Sequence, residues 1–114
     1  GKLNILLDAS ILLLDEAAEY LDQLDSQDTV SPEQASKASI FVAEAKVYAN
    51  DAALLISEKL LELGGSRSSL ETHNLDQHWR NARVHTLHDP VRWKLHAIGN
   101  YYLNGTQNQR HAWI

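Results

Sequence analysis

Ser31–Gly65 reads SPEQASKASIFVAEAKVYANDAALLISEKLLELGG. Ser31 is placed as a helix N-cap, Pro32 takes the first helical position, and Gln34 stands where it closes a capping box. No breaker follows before the Gly64–Gly65 pair, so the spacing predicts one helix from Pro32 to Leu63, roughly 48 Å long at 1.5 Å per residue. Gly64 is the expected left-handed residue at its end. Ala35, Ala38, Ala43, Ala45, Ala49, Ala52 and Ala53 leave its surface low enough for other helices to approach closely.

Upstream, Leu3, Leu6, Leu7, Ile11, Leu14, Ala17, Ala18, Leu21 and Leu24 recur at helical spacing, and Asp25–Asp28 reads as a loop. The block Ile11–Leu14 is apolar all round, which predicts cover on more than one side from a further helix or another subunit. Downstream, Asn74 is positioned to cap a short helix from Leu75 to about Arg83, with His85–His88 as a second connection. Asp89–Pro90 reads as a cap-plus-proline start for a helix through Trp93, Ile98 and Tyr101 to Asn104–Gly105. Trp93 is expected in the core, and Gln107–Ile114 as a frayed tail. The expectation is an all-α, antiparallel helical bundle over residues 1–105, followed by a tail at 106–114.

Composition narrows the chemistry. With 114 residues the chain is one domain at most, and without cysteine it has neither disulfides nor thiolate chemistry, which suits a reducing cytoplasm. No apolar run reaches the roughly 20 residues that span a bilayer, so no membrane role is expected. The net charge of −5 is unevenly spread: Gly1–Leu63 has twelve acids against four bases, whereas Gly64–Ile114 has three acids, six bases and all six histidines. That asymmetry fits a site for an anionic group in the second half.

Two stretches there carry candidate chemistry. Gly64-Gly65-Ser66-Arg67-Ser68-Ser69 can bring backbone N–H groups and a guanidinium to a phosphate, although the same residues also suit a plain helix stop. It is not a P-loop, because no Gly-Lys-Ser/Thr ending follows. His85 and His88, beside Asp89, form a possible proton-transfer or flavin-contacting set. No metal is expected, even with His73 and His78 nearby, because neither HExxH nor a facial carboxylate spacing is present. Trp79 and Trp93 among Arg80, Arg83, Arg92 and Lys94 do not make a nucleic-acid reader in an acidic chain lacking a reader motif.

Glu62-Leu63-Gly64-Gly65-Ser66-Arg67-Ser68-Ser69, followed by the run from Leu75 through His78-Trp79-Arg80-Asn81-Ala82-Arg83 and His85-Thr86-Leu87-His88-Asp89-Pro90 to Lys94, resembles the C-terminal domain of the acyl-CoA dehydrogenase superfamily. The likeness spans Lys2 to about Gly105 and is nearest to the superfamily's flavin-dependent monooxygenase branch, which includes dibenzothiophene monooxygenase and sulfur-acquisition oxidoreductases. It implies a helical bundle at the core of a homotetramer, whose Gly-Gly turn faces a flavin bound largely by the neighbouring subunit. Carried over, Gly64, Gly65 and Ser66 line that flavin and Arg67 meets its phosphate. His88 first, and His85 second, stand near the reactive face of the reduced flavin as hydrogen-bonding groups.

Two departures separate the chain from the dehydrogenases the family is named for. Asp89 stands where they place a catalytic glutamate; one methylene shorter and expected at a helix N-cap, it makes a poor base. Leu61 stands where many of them have a flavin-contacting glutamine. The resemblance therefore implies a parent that is a reduced-flavin monooxygenase of an organosulfur or similar small apolar compound, using FMN rather than FAD. A separate flavin reductase would supply its cofactor. It also implies that the family's N-terminal helical domain, middle β domain and first bundle helix precede this segment, and that the segment alone is inactive and does not hold flavin. The alternatives are an FAD-dependent acyl-CoA dehydrogenase domain and a non-catalytic helical association module.

Overall fold

In this computed structural model the described residues are 1–108, and they form four helices: α1 (Lys2–Asp25), α2 (Pro32–Gly64), α3 (Asp76–His88) and α4 (Val91–Asn104). α2 starts as its sequence dictates. Ser31 accepts from the Gln34 N–H at 3.1 Å, and Gln34 Oε1 accepts from the Ser31 N–H at 2.9 Å. With 33 residues, α2 runs nearly the whole 55 Å length of the molecule.

α1 packs antiparallel along α2. Tyr20 meets Phe41 edge-on at 5.3 Å between ring centroids, and at the other end Leu3 reaches the groove beside Ala53, Ile56 and Leu60. α3 and α4 then return along α2 one after the other. His78 and Ala82 lie near Leu60 and Leu63; Arg83 and Thr86 near Asp51 and Leu54; Asp89 pairs with Lys46. The bundle is therefore antiparallel, with α2 as spine and its third arm broken at Asp89–Pro90.

Apart from Ile40 and Asn50, the buried residues of α2 are small: Ala38, Ala43, Ala45 and Ala52 are all at most 7 % exposed, which lets its neighbours approach closely. α1 is less completely covered. Ala17 and Leu24 are buried, whereas Ile5, Leu12 and Leu14 remain 60 % or more exposed. Among the described residues, no helix is long and apolar enough to cross a membrane.

Several local expectations are corrected. Gly64 is the last residue of α2, and the positive φ falls on Gly65 (φ 70°, ψ −171°). His85–His88 is not a connection but the last turn of α3, which runs past Arg83 because nothing between Val84 and His88 breaks it. Asn74 does not cap α3. It adopts a left-handed conformation (φ 47°) one residue too early, and Leu75 precedes the helix. Asp89 does not cap α4 either; Pro90 occupies that position and the Asp89 carboxylate turns to lysines instead. Trp93 is 58 % exposed, not core, because α4 buries Lys94 and Ala97 on the face turned to α2. The backbone N–H of Asn108 donates to Ser36 Oγ at 2.9 Å, tying the start of the expected tail to α2; residues 109–114 lie outside the described residues.

Candidate functional site

The two sequence-predicted clusters lie at different stations along α2. The first follows its C-terminus. Ser66–Ser69 forms a 3₁₀ turn pinned by Ser68, whose hydroxyl lies 2.7 Å from the Leu61 carbonyl and 2.6 Å from that of Gly65. Ser68 is buried, while Gly64, Gly65, Ser66 and Arg67 face solvent. Gly64 has no room for a side chain, since a Cβ there would stand 2.7 Å from Ser68 Cβ. Glycine thus lets the turn fold flat onto the helix end, with the Ser66 and Arg67 side chains outward. An exposed guanidinium beside an exposed hydroxyl suits a phosphate.

The second cluster sits at the break between α3 and α4. His85 and His88 are exposed on the last turn of α3, one helical turn apart, while Thr86 between them is buried and its hydroxyl donates to the Arg83 carbonyl at 2.7 Å. Asp89 follows in an extended conformation (φ −123°, ψ 94°) and Pro90, lacking an N–H, ends the helical run. The Asp89 carboxylate meets two ammonium groups. Lys46 of α2 forms a close ion pair with its Oδ2, and Lys94 of α4 stands 3.4 Å from the same oxygen. The hydrogen bond from Lys46 holds the Asp89 carboxyl below the usual carboxylate range; burial pushes the other way and the charge of Lys94 adds to the lowering.

Asp89 is therefore engaged through lysines rather than through the backbone N–H groups of a cap. Lys46 was not among the residues singled out by sequence, and Lys94 was weighed there only as part of a nucleic-acid-binding set. A lysine standing among Ala43, Ala45 and Ala49 was the one available signal for Lys46. The two clusters do not come together. Lys46 and Leu61, which mark them on α2, are separated by roughly 22 Å of helix. Among the described residues, His, Asp and Glu side chains do not gather into a group of three that could hold a metal ion.

Comparison with known proteins agrees with this architecture. Residues 1–93 match the family model described as acyl-CoA dehydrogenase, C-terminal domain. The chain belongs to that family. It is 36 % identical over 106 residues to a dibenzothiophene monooxygenase of Rhodococcus erythropolis, covering 92 % of this chain and 25 % of that protein. It is 32 % identical over 105 residues to a probable FMNH2-dependent monooxygenase, SfnC, of Pseudomonas putida, covering 91 % of this chain and 27 % of the relative. The fold superposes with a TM-score of 0.93 on the crystal structure of FMN-bound TdsC from Paenibacillus sp. A11-2, at 30 % identity, covering all of this chain and 29 % of that one. The chain thus spans about a quarter of the length of the curated relatives it matches.

Proposed function

We propose that this chain is the C-terminal, flavin-facing and association domain, residues 1–105 with a tail at 106–114, of a reduced-flavin monooxygenase acting on an organosulfur or similar small apolar compound. One observation carries the reading: where a dehydrogenase needs a free carboxylate base, Asp89 is bound by two lysines, and the exposed groups beside it are the imidazoles of His85 and His88. An engaged carboxylate does not abstract a substrate proton efficiently, whereas an exposed imidazole can donate or accept a hydrogen bond at the reacting centre. The monooxygenase names borne by the relatives agree, and the FMN of the TdsC structure favours FMN over FAD.

Reduced FMN, when bound, supplies the electrons that activate dioxygen. The residues of this chain fit two ends of such a group. Arg67 and Ser66 offer charge and a hydroxyl to its phosphate, next to Gly64 and Gly65 where the backbone lies open. His88, with His85 behind it, offers ring nitrogens to the reacting end. The roughly 22 Å of α2 between the clusters exceeds the reach of one FMN, so in an assembled parent each cluster serves a different flavin. That requires neighbouring subunits, in line with a homotetramer, and the exposed apolar residues of α1 supply surface for the parent's other domains or for a second copy. A separate reductase in a reducing cytoplasm completes the scheme, and the segment alone is inactive.

The test uses the full-length parent. His88→Ala should remove oxygenation and leave FMN binding intact, with Arg67→Ala weakening FMN binding by about tenfold as a charged hydrogen-bonding pair is lost. Turnover of an acyl-CoA with an electron acceptor by the wild type, kept in His88→Ala and lost in Asp89→Ala, would return the assignment to the dehydrogenases.

A further inference from the structure

At the break between α3 and α4 the Trp93 N–H donates to the Pro90 carbonyl at 3.1 Å, a bond inside the start of α4 that does not tie the break to α2. Asp89 is extended, Pro90 has no N–H, and α4 starts without a side-chain cap. What fixes the corner is charge from another part of the chain. Lys46 and Asp89 are 43 residues apart in sequence, whereas the ion pairs Lys59–Glu62 and Arg80–Asp76 lie within single helices and hold no tertiary geometry. Lys46 is on the spine helix, with its stem beside Ala45, Ala49 and Leu14 in the groove between α1 and α2, so its own position is set by the packing of the bundle. Lys94, only 5 % exposed, reaches the same carboxylate oxygen from α4.

We propose that Lys46 is a positioning residue for the His85–His88 pair, acting through Asp89; this rests on the reading of His88 given above. The last turn of α3 is held from two directions. Thr86 is buried on its inner side, and Asp89, directly after His88, is drawn to the α2 spine by Lys46. Together these fix the rotation of the turn and direct His85 and His88 to the opposite side. Lys94 adds a second ammonium to the same carboxylate from α4, whereas Lys46 brings one from the α2 spine. Without the Lys46 ammonium the break is free to open away from α2, and a shift of about 1 Å in a reacting group lowers a rate by about a hundredfold.

The experiment compares Lys46→Met, Lys46→Arg, Asp89→Asn and Lys46→Met/Asp89→Asn in the full-length enzyme. Three quantities are read: kcat against KM, the share of consumed dioxygen released as hydrogen peroxide, and the ring Cε1–H resonances of His85 and His88 against His73. Lys46→Met keeps the apolar stem and loses the charge. It should lower kcat by about tenfold to a hundredfold, raise the peroxide share, leave substrate KM within about twofold, and move the His85 and His88 resonances without moving that of His73. Lys46→Arg should restore most of each. The double variant should lose no more kcat than the worse single variant, since both changes cut one link. Unmoved His85 and His88 resonances in Lys46→Met, or a loss that follows the thermal midpoint alone with no rescue by arginine, overturns the inference. Should Lys46→Met not fold, Lys46→Gln is read in the same way. Coupled oxygenation persisting in His88→Ala would sink the proposed role of His88, while the resonances still report separately on Lys46.

Discussion

At the Gly64–Ser69 corner the chain turns by backbone conformation, whereas at the His88–Pro90 corner it turns around charge. The first corner uses Gly65 at φ 70° and ψ −171°, a region open almost only to glycine, and a serine hydroxyl folded back on the helix end. The second uses a proline to stop α3 and one carboxylate between two ammonium groups from different helices. Backbone turns tolerate changes of pH and salt but not of side-chain volume. Charge-held turns have the opposite sensitivities. The two clusters that face a flavin in the proposed assembly therefore have different weak points, and substitution can separate them.

The largest effect is expected at the charged corner. Asp89→Asn removes the charge that both Lys46 and Lys94 meet on a partly buried carboxylate, and the loss of such charged hydrogen bonds costs about 3 kcal/mol. Chemical denaturation of the wild type and the variant at pH 7 measures this. The pH dependence follows in sign. Because the folded carboxyl titrates below its unfolded value of about 3.9, its stabilising contribution is complete above that value and is lost as pH falls through the lower folded one. The gap between wild type and Asp89→Asn should therefore close on acidification below about pH 4. A gap that stayed constant down to pH 2 would mean that the carboxylate's charge is not what holds the corner.

Gly65→Ala should come next, at about 2 kcal/mol, because a Cβ makes that φ/ψ combination strained although no neighbouring atom stands within 4 Å of it. Neither pH between 3 and 8 nor added salt should change this cost, in contrast to Asp89→Asn. A cost that salt reduced by half would blur the distinction between the corners.

These corners also mark where sequence was a sufficient guide and where it was not. The course of α2 could be read residue by residue, since Ser31, Pro32 and Gln34 act on their own backbone and Gly64–Gly65 ends the run locally. The antiparallel bundle, and the family it belongs to, followed from such signals together with the His-Trp-Arg-Asn-Ala-Arg and His-Thr-Leu-His-Asp-Pro runs. Asp89 was misassigned as a cap because Asp-Pro is a common helix start, and a local pattern carries no trace of a lysine 43 residues upstream. Trp93 failed for a related reason. The face that α4 turns to α2 is chosen by Lys94 reaching Asp89, so a charged residue takes the inward position that hydrophobicity alone would give to tryptophan. Of the candidate site, the residue types were legible in the sequence, and the distance between its two halves was not.

The smallest effect is expected from Ser68→Ala, at about 1 kcal/mol. The hydroxyl has one proton and two carbonyl neighbours, those of Leu61 and Gly65, so it satisfies one at a time. Leu61 is among the last residues of α2, whose carbonyls have no partner further along the helix, and Ser68 is only 6 % exposed, which limits replacement by water. Alanine keeps the Cβ that already stands against Gly64, so the substitution removes the hydrogen bond without relieving the close approach. Urea denaturation of Ser68→Ala alone and combined with Gly65→Ala separates the contributions. If backbone conformation sets the turn and the hydroxyl only fastens it, the double variant should lose more than either single variant, departing from their sum because the hydroxyl touches the Gly65 carbonyl. A double loss no greater than that of Ser68→Ala alone would make the hydroxyl, and not the glycine, the element that forms the turn, and would bring the first corner closer in kind to the second.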